Sequence, residues 1–288
     1  MEFDYQMKFW ALDKAESIEV IESSPLRGVI RVVRKFHEST ITQDIILEKD
    51  KPTVDFDTAV DWHEREKVLK TEFPVDIRSR NASCEIAHGA AEYPTHYNTS
   101  YDQAKFEFCA HKWADLSEGG YGASIINDCK YGYNVHDNVM KITLLRGPIL
   151  PDPVGDIGMH SFRYSFYPHS GTWRDADTVR LGFEENIRLD GEFIKANGGS
   201  DIGHTFAKID GDSVILDAVK PAQDGNGVIV RMYESETRHC TAKAWFDLGY
   251  SKVIECNLME CDEHEIPCEN GEFEFTMKPH EVKTFRLI

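Results

Sequence analysis

The residues best equipped for chemistry are carboxylates and imidazoles set beside aromatic rings. Trp62-His63-Glu64-Arg65 and Ala110-His111-Lys112-Trp113-Ala114-Asp115 each concentrate aromatic, imidazole and charged groups at a strand end. Sugar sites use such mixtures, with ring faces for C–H surfaces and polar groups for hydroxyls. A retaining glycosidase needs two carboxyl groups about 5 Å apart, and Asp57 with Asp61 or Asp115 with Glu118 are possible pairs. An aldose epimerase needs a histidine acid and a glutamate base, for which His63 with Glu64 or His111 with Glu118 could be proposed. Adjacent strand residues point to opposite faces, which disfavours the first of these. Each set also has a plainer reading as a packed, hydrogen-bonded or solvated group. The nearest approach to a metal cluster is Cys256, Cys261, His264 and Cys268. Its spacing matches none of the common paired-ligand patterns, so strand and loop thiols beside an acidic turn are expected there.

Absent motifs narrow the choice further. The chain has no Gly-x-Gly-x-x-Gly, no Gly-x-x-x-x-Gly-Lys, no His-Glu-x-x-His and no Gly-x-Ser-x-Gly, so neither a nucleotide-dependent enzyme nor a serine hydrolase is expected. A net charge of −18 repels phosphate backbones and anionic lipid, which argues against nucleic acid and membrane as partners. Seven scattered cysteines suggest reduced thiols. The start, Met1-Glu2-Phe3-Asp4-Tyr5-Gln6, has neither a basic nor an apolar leader region, so a cytoplasmic location is expected.

These groups must be positioned by strands. Period-two alternation is clearest in Val54-Asp55-Phe56-Asp57-Thr58-Ala59-Val60-Asp61-Trp62, which predicts a half-buried strand with its three aspartates on a wet face. Similar alternation runs through 161–166 and 272–277, and β-rich runs occur at 28–36, 39–47, 105–111, 138–145 and 214–218. Asp224-Gly225-Asn226-Gly227 supplies the residues of a tight hairpin. Only 177–187 reads as helix, with Asp175 or Asp177 available as N-cap and Val179 and Phe183 four apart. The small, polar stretch Asn197-Gly198-Gly199-Ser200-Asp201 marks a domain boundary, giving a large β domain over 1–197 and a small β-sandwich over 198–288. The fold class is all-β.

Val60-Asp61-Trp62-His63-Glu64-Arg65, Phe73-Pro74-Val75-Asp76 and Pro94-Thr95-His96-Tyr97-Asn98-Thr99-Ser100 resemble the C-terminal half of glycoside hydrolase family 38 α-mannosidases. The resemblance continues through Ala110 to Glu118, Gly120-Tyr121-Gly122, Asn127 to Gly132, Leu144-Leu145-Arg146 and Pro151-Asp152-Pro153. It is strongest to the cytosolic and bacterial branch, and it runs from about Ile18 to Leu287. What it implies is a galactose-mutarotase-like supersandwich followed by a small C-terminal β-sandwich. It also implies a zinc-bearing catalytic domain and a helical bundle upstream, which hold the nucleophile, the acid-base carboxylate and the zinc ligands. The chain then reads as a C-terminal piece that carries no catalytic or metal residues of its own.

Three functions follow from these readings. The preferred one is a non-catalytic module of a retaining α-mannosidase acting on terminal α-mannosides, which supports the catalytic domain and contacts mannose-containing carbohydrate. The others are an autonomous carbohydrate-binding module and an aldose 1-epimerase. The expected contact residues lie in 111–131, namely His111, Trp113, Asp115, Glu118, Tyr121 and Asp128, with Asn127 and Lys130 nearby. Tight turns are expected at Gly119, Gly120 and Gly122. Separation from the upstream domains should expose an apolar patch through which two copies could pair.

Overall fold

The computed structural model describes residues 8–187, 189–193 and 203–288. Two compact units are formed, one from Met1–Glu85 with Ala91–Arg188 and the other from Ile86–Ala90 with Leu189–Ile288. The expected boundary at 197/198 lies outside the described residues.

The first unit is built on β1 (Ser17–Ser23), β2 (Arg27–Phe36), β3 (Ser39–Glu48), β4 (Val54–Trp62), β5 (Val68–Pro74), β6 (Asn81–Ile86) and β7 (Gly89–Pro94). A short helix α1 (Ser100–Ala104) follows, then β8 (Phe108–Cys109), β9 (Trp113–Ser117), β10 (Tyr121–Asn127), β11 (Gly132–His136), β12 (Val139–Arg146), β13 (Gly158–Ser170) and helix α2 (Thr178–Asn186). Nine strands form one sheet in the order β1-β2-β3-β4-β13-β10-β9-β6-β7, and β5-β12-β11-β8 form a second.

One face of the large sheet packs on the small sheet. Val60 and Trp62 of β4, Ala114 and Leu116 of β9, Ile125 of β10 and Phe162 of β13 share a buried cluster with Leu69, Tyr133, Val135, Met140 and Ile142. The opposite face of β9 and β10 packs on α2, which buries Thr178, Val179, Leu181 and Gly182. The large sheet is thus covered on both faces at its middle. The arrangement is a supersandwich, as expected.

The second unit has β14 (Ala207–Asp210), β15 (Val214–Pro221), β16 (Val228–Glu234), β17 (Cys240–Phe246), β18 (Val253–Cys256), β19 (Asp262–Ile266), β20 (Cys268–Glu269), β21 (Glu272–Met277) and β22 (Val282–Leu287). These form sheets β14-β17-β21-β20 and β15-β16-β22-β18-β19 around Phe246, Phe273, Phe275 and Phe285. Phe273, Phe275 and Met277 of β21 point inward while Glu272, Glu274 and Thr276 stay exposed, the pattern its alternation predicts. The hairpin at 222–227 joins β15 to β16, where Gly227 has φ +87° and a Cβ would collide with the Leu287 carbonyl oxygen. Buried Arg286 braces the same turn by donating to Asp224 Oδ1 at 2.8 Å and the Asn226 carbonyl at 2.8 Å.

Three expectations are corrected. Of 105–111, only Phe108–Cys109 is strand. The preceding residues follow α1, whose Thr99/Asp102 capping box opens a helix that apolar periodicity does not announce. Asp177 does occupy the N-cap of α2 but makes no side-chain cap bond, bonding Arg180 at 2.9 Å instead. Asp55 is not on a wet face. It is 2% exposed and accepts from Lys51 Nζ and Thr53 Oγ1, each at 2.7 Å. Lys51 also bonds Glu185 of α2, so this buried group ties the helix to the β3–β4 connection.

Burial alone would raise the Asp55 pKa, but its bonds to Lys51 and Thr53 outweigh burial and hold it below the usual carboxylate range. A depressed folded pKa adds stability that is full above the unfolded value of about 3.9 and is lost as pH falls through the folded value. Asp55→Asn should therefore cost about 3 kcal/mol at pH 7. In urea titrations followed from pH 7 to pH 2, the gap between the variant and the parent chain should close below about pH 4. A gap independent of pH would show that the carboxylate charge does not matter.

Candidate functional site

Strand pairing sets the geometry of the segment marked by the sequence. Residues 113–127 form the hairpin β9–β10, in register from Trp113↔Ile126 to Ser117↔Gly122. Because alternate residues share a face, Trp113, Asp115 and Ser117 lie beside Gly122, Ser124 and Ile126 on the α2 side of the sheet. β13 adds Ser165, Tyr167 and His169 to that face through Ile126↔Ser165, Ser124↔Tyr167 and Gly122↔His169.

A fully buried polar cluster results. Asp115, 1% exposed, accepts from Ser124 Oγ at 2.7 Å, lies 2.8 Å from His169 Nε2 and is also bonded by Ser117 Oγ. Ser124 Oγ is 3.2 Å from Thr178 Oγ1, in the first turn of α2. Gly122 is needed here for packing, since a Cβ would fall on the His169 ring and 2.6 Å from Ser117 Oγ. Gly119 and Gly120 form the turn between Glu118 and Tyr121, as expected, without positive φ, whereas Gly122 lies inside β10 rather than in a turn.

Serine, histidine and aspartate meet here, but not as a nucleophilic relay. Such a relay needs the serine on one imidazole nitrogen and the carboxylate on the other. Here Ser124 Oγ and Asp115 Oδ2 both face His169 Nε2, at 3.4 and 2.8 Å, and Ser124 bonds the carboxylate directly. The chemistry of this group is anchorage of α2 to the sheet.

The six expected contact residues divide by position. Trp113 and Asp115 are together in the buried layer, the Trp113 ring lying 4.8 Å from Trp173 and against Gly182 of α2. Glu118 and Tyr121 sit at the hairpin tip, where Glu118 N donates to the Tyr121 carbonyl at 2.9 Å and Glu118 Oε2 accepts from Arg78 N at 2.8 Å. Both are exposed, Tyr121 to 40%. His111 and Asp128 lie at the other end of the hairpin, about 20 Å away along the strands. There the His111 ring meets Tyr131 edge-on at 5.8 Å, and Asp128 Oδ2 accepts from Arg163 N at 3.1 Å. Nearby Asn127 is buried and bonded to the His111 carbonyl at 2.9 Å, while the Lys130 ammonium lies over the Phe162 ring. Ser124, His169 and Thr178 carry no local signal in the sequence, because their role depends on which strands become neighbours.

The other constellations remain apart. Glu64 is buried against Lys67 at 2.9 Å while His63 pairs with Asp61 at 2.9 Å, and His111 and Glu118 occupy opposite hairpin ends. Asp57 is paired with Arg163 at 3.2 Å. Among the described residues no three His, Cys, Asp or Glu converge on a metal position. Burial, with help from the Asp262 hydrogen bond, pushes the Cys256 thiol up to about 11, and burial pushes Cys84 up to about 12. Neither is a thiolate at neutral pH. A depression of about 440 Å³ beside α2 is lined by Lys51, Arg163 and Arg180, whose charges are already met by Asp55, Asp57 and Asp177. No helix among the described residues is long and apolar enough to cross a membrane.

Asp115→Ala removes the acceptor shared by three buried donors and should cost about 3 kcal/mol in urea unfolding. Gly122→Ala should cost about 1–3 kcal/mol by overpacking the same cluster. Parent-like stability in both would remove the cluster from the anchorage of α2.

Comparison with known proteins agrees with this architecture. Residues 1–154 match the glycosyl hydrolases family 38 C-terminal domain, and residues 213–285 match the family 38 C-terminal beta sandwich domain. The chain is 36% identical to alpha-mannosidase G of Dictyostelium discoideum and 32% identical to alpha-mannosidase 2C1 of Homo sapiens. It is covered over 99% and 100% of its own length in these two and spans 28% of each. An alpha-mannosidase of Saccharomyces cerevisiae is 41% identical over 94% of the chain and is itself spanned to 26%. The crystal structure of an alpha-mannosidase from Enterococcus faecalis V583 superposes with a TM-score of 0.77 at 15% identity, over 94% of this chain and 35% of that one. The two-sheet unit with its buried α2 layer and the β-sandwich unit thus belong to glycosyl hydrolase family 38, in its C-terminal part.

Proposed function

We propose that the chain is the non-catalytic C-terminal β module of a retaining α-mannosidase that removes terminal α-mannosides. The observation that carries this reading is the alignment of the chain, nearly end to end, with little more than a quarter of each of several α-mannosidases. The nucleophile, the acid-base carboxylate and the zinc ligands then belong to the remainder of the polypeptide, which is the principal partner. Mannose-containing carbohydrate is the proposed ligand of the whole enzyme, and the seven unpaired thiols support a cytoplasmic setting.

Within the module, Glu118 and Tyr121 are the proposed contacts to the catalytic domain or sugar. They combine exposure with a tip position on a rigid hairpin, whereas Trp113 and Asp115 hold that hairpin against α2. Loops carried by a rigid scaffold are where a β fold places its recognition groups. His111 and Asp128, at the far end of the hairpin, are assigned to the fold.

The purified chain should release no p-nitrophenol from p-nitrophenyl α-mannoside with zinc present, while the long polypeptide does. Release by the chain alone would overturn the proposal. In the long enzyme, Tyr121→Ala should lower kcat/KM about tenfold, equivalent to about 1.4 kcal/mol, with little change in melting temperature. Unchanged kinetics would remove the tip from the site.

A further inference from the structure

The core-facing side of the large sheet continues beyond the small sheet that covers it. Val20, Ile30, Ile45 and Phe56 are direct cross-strand neighbours on β1 to β4, and Phe56 is followed by Tyr164 of β13. At the inner end Phe56 stacks on Tyr164 at 5.0 Å and meets Phe73 of β5 at 5.7 Å. Outward the cover ends. Ile30 is 43% exposed, Leu47 57%, Ile18 68% and Val20 70%, and all four share the Phe56 face. The opposite face of these strands carries Glu19, Arg31, Asp44, Asp57 and Arg163 in one row, bonded through Arg31 to Asp44 at 2.7 Å and Arg163 to Asp57 at 3.2 Å. The charged face also buries Val29 and Ile46, so the contrast lies in the solvent-facing rows, charged from Glu19 to Arg163 on one side and apolar at Val20 and Ile30 on the other.

We infer that the apolar face formed by Ile18, Val20, Ile30 and Leu47 is the seat of the remaining, upstream part of the same polypeptide. This rests on the reading of the chain as a C-terminal module. Two observations select that occupant. The segment leading into β1 already lies on this face, with Trp10 edge-on to Phe36 at 6.0 Å and Leu12 packed against the core. Most of the length of the α-mannosidase relatives lies outside the span that this chain matches, so a large cis partner is at hand. A second copy is disfavoured. Each copy carries −18, and the β1 edge presents Glu19 and Glu22 around a bulge between Val20 and Glu22, devices that oppose edge-to-edge pairing.

The test places Val20→Lys with Ile30→Lys in two settings, the 288-residue chain and the long polypeptide that carries it. In the chain alone the pair should leave the melting temperature within about 2 °C, because both side chains are already exposed. It should also reduce 1-anilinonaphthalene-8-sulfonate fluorescence at least twofold. In the long polypeptide the same pair should shorten the half-life of thermal inactivation at least tenfold. Equal effects in both settings would overturn the inference. So would a chain that sediments as a dimer and becomes a monomer on substitution, since a second copy would then own the face. Loss of α-mannosidase assignment is read separately, from aryl mannoside hydrolysis by the unsubstituted long polypeptide. Its absence would refute that reading and leave the difference between settings as the measure of the interface.

Discussion

The pleat of the nine-stranded sheet is the constraint on which both of its buried layers depend, because it sends alternate residues to opposite faces with opposite surroundings. Toward the small sheet, the even-numbered Val60 and Trp62 of β4 and Phe162 and Tyr164 of β13 enter an apolar core, beside which Gln43 donates to Thr58 Oγ1 and to the Tyr164 hydroxyl. Toward α2, the odd-numbered residues of the same strands meet carboxylates, hydroxyls and an imidazole. A shift of one residue in register would exchange the two sets. The buried Asp55 and Asp115 would then face aromatic rings and lose every partner.

The α2 layer shows why polar groups can be tolerated there. The helix buries only Thr178, Val179, Leu181 and Gly182, a modest apolar contact for a nine-residue element. Its attachment is completed at two points, by Glu185 through Lys51 to Asp55 and by Thr178 through Ser124 to Asp115. Buried polar groups of this kind add less stability than apolar packing of equal volume, and breaking one partner costs much more than the pair contributes. They fix the helix in one position along the sheet. Trp113 gains from that fixity, because its ring must fit between Trp173 and the bare backbone of Gly182. Its indole nitrogen has no hydrogen-bond partner.

Much of the fold is legible in the sequence because period two is a strong signal where one face is apolar. Val54 to Trp62, Glu272 to Met277 and the Asp224 to Gly227 hairpin all lie where alternation and turn chemistry place them. That legibility ends where the outer face is also covered. Asp55 has the sequence signature of a wet residue, and only Lys51 and Glu185, the latter 130 positions further along the chain, make it dry. The same limit applies to the site. Aromatic and charged residues between His111 and Tyr131 lie together in sequence, but a hairpin holds their ends apart and buries two of them. His169 and Thr178 complete Asp115 through strand and helix neighbours that no local window contains.

Coverage also explains why this module has two kinds of surface. A four-stranded sheet and one short helix cannot cover nine strands on both faces, so the β1–β3 wing must meet its surroundings directly. Where the surroundings are water, cross-strand pairs of opposite charge are the suitable solution, and the row from Glu19 to Arg163 provides them. The opposite face presents Val20 and Ile30 in one cross-strand row, with Ile18 and Leu47 exposed in the rows on either side. A strand that presented both faces to solvent would gain nothing from keeping one of them apolar, since isolated surface apolar residues are common but a contiguous row across three strands is not. The proposed seat for an upstream part of the polypeptide accounts for that asymmetry, on strands whose own packed cluster ends at Phe56.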